Sequence, residues 1–137
     1  MATDAGQPRT LADTTEEFRA FWAERHLATL TTIRPDGTPH VVPVGVTLDL
    51  DTGTARIITS ANSRKARNVA EAGTLPVAIC QVDGRRWSTL EGQARVRTGA
   101  ESVAEGVRRY AERYREPREN PERVVIEIAV QRILGSV

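Results

Sequence analysis

Residues 27–60 read LATLTTIRPDGTPHVVPVGVTLDLDTGTARIITS, and the punctuation of this stretch decides the fold. Leu27 to Ile33 is a short apolar and threonine-rich run of the kind that suits a strand. Pro35-Asp36-Gly37-Thr38 follows as a turn, since proline presets one dihedral and glycine accepts a positive φ. Pro39 to Leu50 reads as a second strand, and Pro43 places it at an edge or a bulge because proline has no N–H for a ladder. Asp51-Thr52-Gly53 turns the chain again, into a third strand from Thr54 to Ser60. The spacing predicts a meander of three strands joined by short hairpins.

Working outward, Thr14-Thr15-Glu16-Glu17 has the hydroxyls and early acids of a helix start, and Phe18, Phe21 and Trp22 then recur on one helical face up to about His26. A helix from about Ser63 to Ala72 ends at Gly73. Leu75 to Val82 is a fourth strand, Asp83-Gly84 a hairpin turn, and Arg86 to Arg97 a fifth strand with Gly92 as a candidate bulge. A helix over 100–115 and a loop over 117–121 precede a sixth strand, where Val124, Ile126, Ile128 and Val130 alternate. The expectation is a mostly β protein: six antiparallel strands with three to four helices, closed or nearly closed into a barrel. Residues 1–13 read as a flexible leader and 14–137 as a single domain.

The composition is that of an ordinary globular chain, 39% apolar and 27% charged, with no apolar run long enough to span a membrane. A net charge of +1 and few aromatics argue against nucleic acid as a partner. The single Cys80 excludes an internal disulfide, points to cytoplasmic residence, and reads as a small core residue.

One segment stands out chemically. The strand Arg56 to Thr59 breaks into Ser60-Ala61-Asn62-Ser63 and then into Arg64, Lys65 and Arg67; Lys65 is the one lysine among 19 basic residues. Unpaired N–H groups at a helix start, backed by cations, suit an anion. A solvated basic helix turn is the alternative reading. The cations of 108–118 are interleaved with glutamates, which reads as a solvated face. His26 and His40 have no metal-ligand spacing, and no nucleophile elbow, phosphate loop or dinucleotide fingerprint is present. His40 suits either the edge of a flat cofactor or a half-exposed strand position. The stretch Gln81 to Trp87 suits either a ligand mouth or a plain hairpin, and Tyr110, Tyr114 and the 117–121 loop read as packing. With no acid–base pair in view, any chemistry belongs to a bound cofactor.

The ordered set Asp36-Gly37-Thr38-Pro39-His40-Val41-Val42-Pro43-Val44, Ile58-Thr59-Ser60, Ser63-Arg64-Lys65-Ala66-Arg67-Asn68, Gln81-Val82-Asp83-Gly84-Arg85-Arg86-Trp87 and Asn120-Pro121-Glu122-Arg123 resembles the pyridoxamine 5'-phosphate oxidase-like split-barrel superfamily. Within it the likeness is to the actinobacterial branch that uses coenzyme F420, and there to the F420-dependent biliverdin reductases. The resemblance implies a homodimeric split barrel with a cofactor groove, coenzyme F420 as cofactor with FMN as the alternative, and hydride transfer to biliverdin. It implies that Ile58, Thr59 and Ser60, with Arg64, Lys65 and Asn68, hold the cofactor phosphate. His40, Val41, Val42 and Pro43 would back the ring. Gln81, Asp83, Gly84, Arg85 and Trp87 would approach the ring or tail from either subunit. A flavin-dependent enzyme of the same fold and a non-enzymatic tetrapyrrole- or haem-binding module remain as alternatives.

Overall fold

Each helix starts and stops on a local signal. In the computed structural model, which describes residues 8–137, Thr15 caps α1 (Glu16–Ala23) by accepting the Phe18 N–H at 3.1 Å, and Phe18, Phe21 and Trp22 are its buried face. Ser63 caps α2 (Arg64–Ala72) through the Ala66 N–H at 3.3 Å, and Gly73 ends it at φ 79. The third helix, α3, spans Ala100–Arg113. Ahead of α1, Leu11–Asp13 form a 3-10 turn, and Arg9 exchanges two backbone hydrogen bonds with Ile133. The remainder of the expected leader, residues 1–7, lies outside the described residues.

Seven strands, one more than expected, form a single antiparallel sheet: β1 (Ala28–Ile33), β2 (Pro39–Val44), β3 (Thr47–Asp49), β4 (Thr54–Ser60), β5 (Leu75–Asp83), β6 (Arg86–Arg97) and β7 (Arg123–Gly135). Their order in the sheet is β2-β1-β5-β6-β7-β4-β3. The two ends of that order, β2 and β3, are separated in the chain by only Gly45 and Val46. Two residues span about 10 Å at most, so the sheet must curl until its ends meet. The result is a barrel split at one seam, where the closure is covalent and no ladder joins the two strands.

The expected three-strand meander is therefore corrected. The single strand read over 39–50 breaks at Gly45-Val46, and β4 pairs with β7 (Ile57↔Ile126) while β1 pairs with β5 (Leu30↔Ile79). The cause of the break lies far along the chain. A Cβ at position 45 would sit 2.8 Å from Tyr110 Cε2, and the Val46 N–H donates to the Tyr114 hydroxyl. Helix α3 thus takes this corner out of the sheet.

Other turn and bulge readings hold. Pro43 is on an end strand, the register slips between Glu91 and Gly92, and Gly84 takes φ 63 in the two-residue β5–β6 hairpin. At Gly92 a side chain would collide with the Ala129 carbonyl 2.1 Å away. The barrel core holds Phe18, Phe21, Leu30, Ile57, Ile79, Leu90, Ile126, Ile128 and Ile133. Cys80 is not part of it. Val77, Ile79 and Gln81 take the inward positions of β5, which leaves Cys80 half-buried on the outer face.

Candidate functional site

The seam makes a groove. β3 is three residues long and covers β4 only at Thr54–Arg56, so Ile57 to Ser60 have a strand neighbour on one side alone. Those four residues form one wall of a cleft of about 360 Å³. Pro43, Val44 and Gly45 form the facing wall, Lys65 stands at the start of α2, and Tyr110, Pro117, Asn120 and Arg123 complete the lining.

The hydroxyls of this wall are spoken for. Thr59 Oγ1 donates to Ser63 Oγ at 3.0 Å, and Asn120 Nδ2 donates to Ser60 Oγ at 2.8 Å. These bonds hold the end of β4 against both the start of α2 and the loop before β7. The cations are different. Lys65 is half-buried, and none of Arg64, Lys65, Arg67 and Arg123 is in an ion pair among the described residues. Burial holds the Lys65 ammonium below the ordinary lysine range. A partly desolvated ammonium with no counter-charge favours a bound anion.

The opposite wall is set from behind. The Arg113 guanidinium donates to the Val46 carbonyl, to the Glu24 carbonyl at 2.8 Å and to Gln81 Oε1 at 2.8 Å. Gln81, fully buried, in turn donates to the Phe21 carbonyl at 2.9 Å. The Tyr114 hydroxyl accepts from Val46 and donates to the His26 carbonyl at 2.6 Å. The Gly45–Val46 corner is thereby tied to α1, α3 and β5 at once.

The structure divides the residues singled out by the sequence into three groups. Pro43, Ile58, Thr59, Ser60 and Lys65 meet in the groove. His40, Arg64 and Asn68 lie at its α2 end, where Asn68 Nδ2 donates to the buried Thr32 hydroxyl at 3.0 Å, while Val42 packs against the core and Val41 points to solvent. Gln81, Asp83, Gly84, Arg85 and Trp87 do not line the groove of their own chain. Gln81 belongs to the Arg113 network, and Trp87 pairs with Val82 on the outer face. At the hairpin Arg86 binds both Asp83 and Glu24, pulling the Glu24 carboxyl down to about 2. Glu24, His26 and Asp83 approach one another within 4.8 Å, yet this guanidinium already supplies their positive charge.

Gly45, Tyr110, Asn120 and Arg123 line the groove without having been read as site residues. Tyr110 and the 117–121 loop are assigned to packing from sequence, and only Tyr114 is confined to that role. The one available signal is Asn120-Pro121 placed directly before an alternating strand.

The sequence matches the pyridoxamine 5'-phosphate oxidase family over residues 14–136. The chain belongs to that family. An F420H(2)-dependent biliverdin reductase of Mycobacterium tuberculosis (strain CDC 1551 / Oshkosh) is 52% identical over 117 residues, 85% of this chain and 84% of that protein. Among solved structures, a conserved hypothetical protein of Mycobacterium tuberculosis superposes with a TM-score of 0.74 at 25% identity, covering 89% of this chain and 84% of the other. An F420 reductase superposes with a TM-score of 0.70 at 22% identity, covering 88% and 98%, and so shares the fold. Among the described residues no helix is long and apolar enough to cross a membrane.

Proposed function

We propose that this family member is an F420-dependent oxidoreductase that reduces biliverdin to bilirubin. The observation that carries the reading is the 52% identity, across most of both chains, to an F420H(2)-dependent biliverdin reductase. The groove fits the cofactor's charge: a half-buried Lys65, without a counter-charge among the described residues, stands beside the one-sided edge of β4. Reduced F420 supplies the hydride, from its deazaflavin ring, when bound. Lys65 and Arg64, with the edge residues Ile58 to Ser60, bind its phosphate, and Pro43 and Val44 offer an apolar wall to the ring.

Reduction adds a hydride to the central methine carbon of biliverdin and a proton to a ring nitrogen. Among the described residues no carboxyl or imidazole lines the wall between Pro43–Gly45 and Ile57–Ser60, and in this reading the proton comes from solvent through the open seam. The Asp83–Trp87 hairpin does not line the groove of its own chain, and in this reading it meets the cofactor from a second copy of the chain, in a cytoplasmic homodimer.

An anaerobic assay tests the reading. Bilirubin forms with reduced F420, as oxidised F420 appears in step with biliverdin loss, and does not form with reduced FMN. Turnover with reduced FMN alone would overturn the F420 reading.

A further inference from the structure

We propose that His40 is a titrating arm of the anion site, taking up a proton when the cofactor phosphate binds beside Arg64 and Lys65. The identity of the anion rests on the F420 reading above; the proton coupling rests on the geometry of β1, β2 and α2.

Along β2 burial alternates, and His40, Val42 and Val44 take the inward positions. His40 stands directly opposite Thr32 of β1. The Thr32 hydroxyl accepts from Asn68, and Asn68 Oδ1 accepts from Arg64 Nη1 at 3.5 Å. A continuous polar row therefore runs from the seam strand to the first turn of α2, where Lys65 follows. His40 Nδ1 is shut off from solvent and has no hydrogen-bond partner among the described residues. Such a nitrogen is unusual enough to need a reason, and a ligand at this end of the groove supplies one.

The charges around the ring have one sign. Arg34 comes from the β1–β2 turn, and Arg64 and Lys65 from α2, while Thr32 and Asn68 are neutral. Asp36, the carboxylate of the same turn, is held by the Thr38 N–H at 3.0 Å and the Thr38 hydroxyl at 2.6 Å. Burial first, then Arg34, Lys65 and Arg64, hold the imidazole below the ordinary histidine range. An anion seated among these cations cancels the field that opposes the imidazolium. By linkage, whatever raises the affinity of His40 for a proton is itself bound more tightly by the protonated protein.

The chain has two histidines, His26 and His40, so two imidazole signals can be followed by NMR against pH, with His26→Asn making the assignment. Three titrations are compared: protein alone, protein with saturating sulfate (whose charge is constant across this range), and protein with F420. The His40 midpoint is expected below the ordinary histidine value in the free protein and higher with either anion. F420 affinity is expected to tighten several-fold from about pH 8 to about pH 6, and His40→Asn to flatten that slope. A midpoint unmoved by both anions, or an unchanged slope in the variant, overturns the proposal. If sulfate raises the midpoint and F420 does not bind, the coupling stands and the cofactor reading falls. If F420 binds and the midpoint stays, the coupling falls and the cofactor reading stands.

Discussion

Two helices carry most of the clustered cations of this chain, and they use them in opposite ways. On α3, Arg108 is held by Glu105 and Glu112, and Arg109 by Glu105 and the buried Asp49. Arg113 spends its donors on two backbone carbonyls and Gln81 while stacking over Trp22 and Tyr114. On α2, Arg64, Lys65 and Arg67 have no acidic partner among the described residues. Arginine-rich sequence alone does not distinguish the helices; the supply of acceptors does. A satisfied guanidinium is a building material, and an unsatisfied ammonium beside an open strand edge is a candidate site.

The contrast can be broken at its strongest point. Arg113→Ala leaves the buried Gln81 Oε1 unpaired and the Val46 carbonyl with only the Tyr114 hydroxyl, loosening the Gly45–Val46 corner, so denaturant titration should show a loss of ~3 kcal/mol. Arg113→Lys should recover little of it, because an ammonium cannot reproduce the planar fork. A loss well under ~1 kcal/mol would mean that the guanidinium does not hold the corner.

Gly45→Ala comes next. Its Cβ would meet the Tyr110 ring at 2.8 Å, and the ring must give way into the groove. The expected outcome is ~1–2 kcal/mol of destabilisation together with weaker F420 binding, measured on the same preparation. Retained affinity in a folded variant would separate the corner from the groove.

Lys65→Ala tests the other helix. Stability should stay within ~0.5 kcal/mol of wild type, while the F420 dissociation constant rises about tenfold, or ~1.4 kcal/mol. The opposite pattern, lost stability with unchanged affinity, would make α2 resemble α3. The smallest effect belongs to Arg108→Ala. This side chain is exposed and paired only along its own helix, so thermal midpoint and F420 affinity should both remain unresolved from wild type.

Much of the sheet was legible because strand signals are local. The alternation of Val124, Ile126 and Ile128, the proline on an end strand, the bulge at Gly92 and the Asp83-Gly84 hairpin each carry their reason within a few residues. The break at Gly45-Val46 does not, since Pro43 to Leu50 continues an apolar alternation and the residues that interrupt it lie more than 60 positions later. Cys80 was misplaced for a related reason: in the mainly apolar run Leu75–Val82, Gln81 takes an inward position through Phe21 and Arg113, and the cysteine is left outside. At the site, Lys65 was visible as the lone lysine after a helix cap. Tyr110, Asn120 and Arg123 reach the groove only through tertiary packing, and beyond Asn120-Pro121 ahead of an alternating strand nothing near them in the chain announces it.

A gap in a sheet exposes backbone, and exposed strand edges invite other chains to pair with them. This seam is poorly suited to that. β2 spends two of its six residues on Pro39 and Pro43, which have the same parity along the strand and no N–H to offer, and β3 is only three residues long. A foreign strand would find too few donors on one lip, and on the other only the three residues of β3 and the four-residue edge Ile57–Ser60. The opening can therefore stay permanently accessible to a small molecule without becoming a template for aggregation.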